Sequence, residues 1–472
     1  MNATLTTSRK LSNKKIPIID WDTFRYGVEI GVEQHLSIPK NGMGHLEEEI
    51  RKQTLTVQRE ILENAVQKKA DLTPPICPKC KSKLNQLKRV ERTVQSAYGL
   101  ITFERVHGYC PKCKDWVCPA DEALKLDEHA SASPAIQELS ALMVSKMPVR
   151  EAQQVIQRIT GQRLSKATLD REAKRQGKRA EDIENRLNEQ IAKGQIPQLL
   201  QRKPLEGPFT MVVQIDAWNI RERDNWGKSE ALRRKGIEPE RWHWIYGAIA
   251  YRLEECQQVG KKKRHVITNK SVVMTRRGVD KLREKIWAEC MCLGIGKAER
   301  ILVLGDGAAW IWNMAEDRFG QAEHRVDFYH VSQHLWTVGK ALYPDDNEQA
   351  KRWVHKQQKA LKKDKACKVI KGIRELENEM DETLRETVGK EANYLEKQQG
   401  RMSYAKAEEN AEPIGSGSIE SCCRQYQCRF KRTGQFWSKK GDEALLVLEN
   451  CWRNERWRTL FPHVEVSEIG MN

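Results

Sequence analysis

Three carboxylates stand where an acid has work to do or should not stand at all. Asp216 follows Met211-Val-Val-Gln-Ile215, Asp306 follows Ile301-Leu-Val-Leu304 and is flanked by Gly305 and Gly307, and Glu420 follows Ile414-Gly-Ser-Gly-Ser-Ile419. An acid at the end of an apolar strand is unfavourable unless it is paired, coordinated or solvated. Converging, the three would hold two divalent metals for in-line phosphoryl transfer. One ion would activate water or a 3′-hydroxyl and the other would stabilise the leaving oxygen. Singly, each has a plainer role: Asp216 bonded to a nearby backbone amide, Gly-Asp-Gly as a βα turn, Glu420 as a helix-start acid near the dipole. A second constellation is made of sulfur. Cys77-Pro-Lys-Cys80 and Cys110-Pro-Lys-Cys113 enclose 29 residues (81–109). Each pair can wrap one edge of a tetrahedral Zn²⁺, and four thiolates leave no open position, so this zinc is structural. Cys118 lies nearby but outside the spacing. Cys256, Cys290, Cys292, Cys367, Cys428 and Cys451 show no ligand spacing, and Cys422 and Cys423 read as packing beside Glu420.

Those residues need scaffolds. Leu46 to Ala70 carries apolar residues at near-helical spacing, and Thr73-Pro74-Pro75 ends it. Thr93 to Val106, between the cysteine pairs, is strand-like. Ser133-Pro134 opens a helical region as N-cap and first helical residue. Within it Val149, Ala152, Ile156 and Ile159 share a face, Gly161 stops the helix, and Ser165 caps a second helix, Lys166 to Gln176. That second helix turns Lys166, Thr168, Arg171 and Lys174 outward. Either it enters a DNA major groove as a helix-turn-helix does, or the pair is a plain helical hairpin. Phe209–Ile215, Trp244–Tyr251 and Val266–Thr275 are β-like, and Lys281–Leu293 is helical. Ile301–Leu304 and Arg325–Phe328 read as short buried parallel strands. A long charged segment, Arg221 to Arg241, separates the first two strands.

The chain has 472 residues, 82 Lys+Arg against 65 Asp+Glu, a formal charge of +17 and a pI near 9.2. That length predicts several domains, and the basic surplus suits an extended polyanion, most often nucleic acid. No run approaches 18 apolar residues, which predicts no membrane span. Met1–Lys15 is polar with no apolar signal core, and the 13 cysteines are odd in number. Both point to a reducing cytoplasm rather than a disulfide scaffold. Lys351 to Lys371 holds nine Lys/Arg and one Asp, either a solvated face or a phosphate track. The 20 residues after Glu420 hold six Lys/Arg and no acid, with Phe436 and Trp437 interleaved. Those rings either stack on an unpaired base or pack under the core.

The order Gln-Ile-Asp216-Ala-Trp, Gly-Asp306-Gly-Ala-x-Trp-Ile-Trp, Asp327-Phe-Tyr-His330, Gly-Ser-Ile-Glu420-Ser resembles the DDE transposases of bacterial insertion sequences, and within them the ISKra group related to Mutator-like elements. The stretch Arg429-Phe-Lys-Arg-Thr-Gly-Gln-Phe-Trp437 is similar to that group's basic segment after the Glu. The resemblance covers roughly 206–465. It implies an RNase H-like catalytic core in which Asp216, Asp306 and Glu420 bind two Mg²⁺ or Mn²⁺ ions, with Asp327 and His330 supporting the site. An alternative makes Asp327, His330 and His334 a metal site of their own. The resemblance also implies a helical insertion between the second Asp and the Glu. Altogether the expected architecture is multidomain α/β: an N-terminal helical region (1–72), a zinc ribbon (73–120), a helical, helix-turn-helix DNA-binding region (121–205), an RNase H-like core (206–330 and 414–472) and an all-helical insertion (331–413). Its partners would be double-stranded DNA at element ends and target, contacted by Lys166, Thr168, Arg171, Lys174, Arg429, Lys431 and Arg432. The enzyme would be a nucleoid-associated homodimer or higher oligomer that cleaves and joins strands. Two rivals keep much of this picture: a domesticated, non-cutting DNA-binding protein, and an RNase H-like nuclease without strand transfer.

Overall fold

A computed structural model describes residues 42–128, 130–223, 227–259, 264–438 and 441–464; the polar stretch Met1–Lys15 lies outside them. The fold is mixed α/β and divides into two compact units. One comprises the described residues up to Met143 with Val149–Glu172, the other Val144–Pro148 with the described residues from Ala173 on. The helical segment expected as one region (121–205) is therefore shared between the units.

The first unit begins with helix α1 (Met43–Asp71) and a hairpin of β1 (Asn85–Ser96) and β2 (Gly99–Cys110), with short β3 (Asp115–Val117) beside β2. The strand-like stretch between the cysteines is thus two strands. Its turn is at Gly99, whose φ of +128° excludes most side chains. Helix α1 closes the strand edge that β3 leaves free. Thr102 N donates to Glu63 Oε1 (2.7 Å) and Glu104 N to Gln67 Oε1 (2.9 Å). Val94, Ile101, Phe103, Ala70 and Ala120 form the small core, beside a buried ion trio in which Arg92 and Arg105 converge on Asp121 (2.8 and 3.2 Å). Helices α2 (Pro134–Lys146), α3 (Val149–Thr160) and α4 (Lys166–Ala192) follow. Gly161 ends α3 at φ +73°, and Ser165 Oγ accepts from Thr168 N (3.0 Å), so both punctuation signals act as read. Ile159 does not face inward; it is 58% exposed on the last turn.

Helix α4 runs 27 residues, far past Gln176. Gly177, a helix breaker by propensity, is there for close approach: a Cβ on it would sit 2.4 Å from the Ala444 carbonyl oxygen.

The second unit is built on a five-stranded sheet of β4 (Thr210–Arg223), β5 (Glu240–Arg252), β6 (Ser271–Thr275), β7 (Arg300–Gly305) and β8 (Glu323–Val326), in the order β8-β7-β4-β5-β6. β5 runs antiparallel to both its neighbours, β4 and β6, whereas β7 runs parallel to β4 and β8 parallel to β7. The third β-like segment of the sequence is two pieces, Arg264–Val266 in a separate hairpin and the edge strand β6. The charged segment between the first strands is the far half of a long hairpin, paired as far as Arg223↔Glu240 and held by the Arg223–Glu240 and Arg241–Glu222 ion pairs (2.5 and 2.8 Å). One sheet face, with Met211, Val213, Ile215, Ala248, Ala250, Val273 and Val303, forms the main core beneath helices α5 (Val279–Cys292), α6 (Ala309–Arg318) and α7 (Phe328–Leu342).

Residues 328–398 hold α7, α8 (Asn347–Leu361), α9 (Ala366–Asn378) and α10 (Glu382–Gln398). Asp327, Asp346 and Asp381 cap α7, α8 and α10 by accepting from the backbone N–H three residues on. Asp327 also explains why the strand expected through Phe328 stops at Val326. All nine basic residues of 351–371 are exposed, six on α8 and α9 and Lys362, Lys363 and Lys365 in the turn between them. After the Gly/Ser turn come α11 (Gly417–Phe430) and α12 (Asp442–Arg453). Helix α12 shuts the open edge of the sheet. The Asn450 amide accepts from Met274 N (3.1 Å) and donates to Met274 O (2.9 Å), and Asn454 does the same with Val272 (2.8 and 2.9 Å). Glu443 takes Thr275 Oγ1 and Arg276 N (2.8 Å each).

At an exposed helix site Gly→Ala stabilises by about 1 kcal/mol. Gly177→Ala reverses that sign, because the methyl must displace backbone; thermal unfolding of the full chain is expected to show a loss of roughly 1–3 kcal/mol.

Candidate active site and metal centre

Strand register brings the first two acids together. In the parallel ladder Gln214 lies opposite Leu304. Asp216 and Asp306 each stand two residues further on, so they leave the sheet at the same level and on the same face. Asp306 belongs to the turn that starts α6: its Oδ1 accepts from Ala308 N (2.9 Å) and Gly307 takes φ +98°. Glu420 arrives on the first turn of α11. That helix is docked onto β4 by Ile419 N donating to Gln214 Oε1 (3.2 Å), and Gln214 Nε2 donates in turn to Tyr251 Oη (3.2 Å). All three acids are half-buried, and Glu420 meets exposed Arg424 at 3.6 Å.

The electrostatics follow from that crowding. Burial pushes the Asp216 carboxyl up to about 6, and the neighbouring Asp306 and Glu420 charges add to the rise. The Ala217 N–H (2.7 Å to Oδ1) and the Cys423 thiol oppose it. Cys423, one turn after Glu420, is buried and its thiol is raised by burial and by the Asp216 charge. Two aspartates and one glutamate offer hard oxygen ligands of the kind Mg²⁺ or Mn²⁺ takes, but among the described residues the three are not gathered as a metal-ligand group in the way the four cysteines are.

Two supports hold the site from outside the sheet. Asp327, 1% exposed, accepts from the backbone N and Oγ of Ser416 (2.8 Å for the hydroxyl) while capping α7, and so ties β8 to the turn before Glu420. It is a turn-and-cap residue just beyond the strand, not a strand residue. Helix α10 holds the Asp306 turn, since Tyr394 Oη donates to Asp306 O (2.7 Å) and Gln398 Nε2 to Gly307 O (2.9 Å). Tyr394 stacks on His334 at 3.7 Å, and His334 Nδ1 is bonded to Glu391. His330 contributes its backbone N–H to the Asp327 cap, with its ring 5.8 Å from that of His334. His334 is thus engaged by Glu391, and Asp327, His330 and His334 form no metal cluster among the described residues. Gln214 was visible in the sequence as a polar residue inside an apolar strand. Tyr394, Gln398, Ser416 and Cys423 carried no local signal.

Cys77, Cys80, Cys110 and Cys113 come together with all sulfur atoms within 4.8 Å of one another. Among the described residues this is the group of candidate ligands gathered that tightly. The two knuckles repeat one geometry. Lys81 N donates to Cys77 O (2.9 Å) and Lys114 N to Cys110 O (2.8 Å), with Lys81 and Lys114 at φ +62° and +56°. Hydrogen bonds from Ser82 hold the Cys80 thiol down, to about 6, whereas Cys113 is pushed up to about 12, first by its hydrogen bond with Cys80. Four such sulfurs cannot all ionise without a cation between them, and a soft tetrahedral thiolate set fits Zn²⁺.

Of the expected DNA contacts, Lys166 and Arg171 on α4 are exposed, and Thr168 and Lys174 are half-buried. Lys431 and Arg432 are exposed. Arg429 is corrected: it is 7% exposed and its guanidinium donates twice to Val144 O (3.1 and 2.9 Å), so it ties α11 down instead of reaching a ligand. Trp437 is likewise core, 8% exposed, stacked 4.9 Å from Phe430 and donating Nε1–H to Phe430 O (2.7 Å). No described helix is long and apolar enough to cross a membrane.

Residues 294–458 match the profile of an uncharacterised protein family, UPF0236. The chain is also similar to a UPF0236 protein in the vanSb 3′ region of Streptococcus gallolyticus, 22% identical over 377 residues, which covers 78% of this chain and 74% of that one. The profile match spans Asp306, Asp327 and Glu420.

Metal analysis of the purified chain is expected to find about one zinc per chain. Chelation, or Cys80→Ser with Cys113→Ser, should release it and open 73–120 to proteolysis.

Asp216 gives a separate expectation. Its carboxyl is raised in the fold, so the stability of the protonated form is lost as pH climbs from about 4 through 6. Metal-free Asp216→Asn should therefore match wild type near pH 4 and exceed it by roughly 1–3 kcal/mol at pH 7. In denaturant melts, saturating Mg²⁺ should close that gap by stabilising wild type alone.

Proposed function

We propose that this chain is an insertion-sequence DDE transposase of the ISKra-type group, with an RNase H-like core. One observation carries the reading: Asp216 and Asp306 leave adjacent parallel strands at the same level on one face, with Glu420 delivered beside them by a helix bonded to Gln214. A mixed five-stranded sheet, antiparallel on one side and parallel on the other, is what an RNase H-like core requires of these residues.

Bound divalent cations supply the activation of water or a 3′-hydroxyl and neutralise charge on the leaving oxygen. The chain's own residues do the rest. Asp216, Asp306 and Glu420 offer the oxygen ligands, and Asp216 must shed its proton before it can ligate. The Asp327–Ser416 and Tyr394–Asp306 hydrogen bonds keep the second and third acids in place. The Cys₄ ribbon and the α3–α4 hairpin supply recognition of the terminal inverted repeats, with Lys166, Arg171, Lys431 and Arg432 as exposed phosphate contacts. Two ends are brought together by a homodimer or higher oligomer acting on chromosomal DNA in the cytoplasm.

Strand cleavage and joining on DNA carrying the element's own ends, with Mg²⁺ or Mn²⁺, tests the proposal against Asp306→Ala. Metal-dependent joining that the substitution abolishes while DNA binding persists is the expected result. Binding without cleavage in wild type would instead establish a domesticated DNA-binding protein. Cleavage of pre-synapsed ends without joining would establish a nuclease.

A further inference from the structure

The outer half of the β4–β5 hairpin carries two large rings with no core to enter. Trp242 and Trp244 are 54% and 53% exposed. They stand opposite Arg221 and Asn219 in the ladder, so the four side chains share one face. Cations surround the rings. The Arg221 guanidinium lies 5.1 Å from the Trp242 ring, Lys431 Nζ lies 5.6 Å from the same ring, and Lys431 also donates to Asn219 (3.0 Å). Arg223 covers Phe436 at 3.6 Å along the margin, where Trp437 N donates to Arg221 O (2.9 Å). Among the described residues neither Arg221 nor Lys431 has a carboxylate within ion-pair distance. The face is therefore aromatic and carries uncompensated positive charge.

We propose that this ledge binds an unpaired stretch of DNA strand, with bases stacked on Trp242 and Trp244 and phosphates against Arg221 and Lys431. The proposal rests on the transposase reading and names a substrate feature for it. Alternate residues on a strand are about 6.8 Å apart, twice the 3.4 Å rise between stacked nucleotides of a duplex. The two rings therefore suit bases already pulled apart and not a paired helix, whose base faces are covered. Aromatic stacking tolerates any base, and the cations need only the backbone. Asp216 leaves the same hairpin from the opposite face, so the ledge contributes no group to the chemistry.

The test measures full-length protein against a blunt duplex and the same duplex with a three-nucleotide unpaired tail carrying 2-aminopurine. Anisotropy reports affinity and 2-aminopurine fluorescence reports stacking. Wild type is expected to bind the tailed DNA at least about fivefold more tightly and to quench the probe. Trp242→Ala with Trp244→Ala should erase the preference and the quenching while leaving blunt-duplex affinity unchanged, and the double Phe variant should retain part of both. Equal affinity for the two DNAs in wild type, or a preference that survives the double Ala variant, overturns the ledge and leaves the transposase reading standing. A double Ala variant that falls apart from dimer to monomer in sedimentation overturns it too, by making the face a contact between copies. Failure of wild type to bind either DNA removes the transposase reading itself.

Discussion

Placing two carboxylates at one level on neighbouring parallel strands, with a third on a helix beside them, builds mutual repulsion into a partly desolvated site. Burial does most to raise the Asp216 carboxyl to about 6, and the neighbouring Asp306 and Glu420 charges add to that rise. Left to itself, such a cluster would relax by turning side chains toward water or by letting the Gly-rich turns swing away. The surrounding hydrogen bonds oppose that relaxation. Ala217 and Ala308 amides, the Gln214 carboxamide, Asp327 on Ser416, and Tyr394 and Gln398 on the 306–307 carbonyls each fix a segment that bears an acid or precedes one. Those bonds hold the acid-bearing segments in a crowded arrangement that costs stability.

The same economy of side-chain hydrogen bonds governs the sheets. An exposed strand edge is a row of unpaired amides and carbonyls, open to pairing with another chain. Here helices close the edges with side chains that imitate a strand: Glu63 and Gln67 on β2, and Asn450, Asn454 and Glu443 on β6. Residues four apart on a helix rise about 6 Å, near the 6.8 Å repeat of alternate strand residues. That match lets one helix face serve consecutive outward-facing amides. It also explains why α12, a helix rich in buried polar groups, belongs to the sheet as much as to the helical layer.

What could be read beforehand was what short-range chemistry dictates. Paired Cys-Pro-Lys-Cys motifs announce a thiolate cluster because knuckle geometry is local. Ser133, Ser165 and Gly161 mark helix ends through their own hydrogen-bonding or φ preferences. Apolar runs before Asp216 and Asp306 mark strands because both faces are buried. The errors arise where tertiary contact overrides a local signal. Gly177 sits in mid-helix because another backbone needs the room, Phe328 is helical because Asp327 caps it, and Arg429 is buried because the Val144 carbonyl gives its guanidinium a partner. No periodicity reveals that residues 394 and 398 serve residues 306 and 307, because that relation exists only once the chain has folded.

That last relation bears on why the four helices α7 to α10, within residues 328–398, stand between the second and third acids. A shorter connection could join β8 to the turn before Glu420, since Asp327 already touches Ser416. The four helices therefore do more than connect. Helix α10 returns to the sheet and places two hydrogen-bond donors, half-buried Tyr394 and buried Gln398, on the carbonyls of the Asp306 turn, and Tyr394 stacks on His334 of α7, the helix Asp327 caps. The second acid is thus braced by the helical segment, and the third by the residue that starts it. A shift of the bundle against the sheet would therefore disturb the hydrogen bonds that hold both acid-bearing turns.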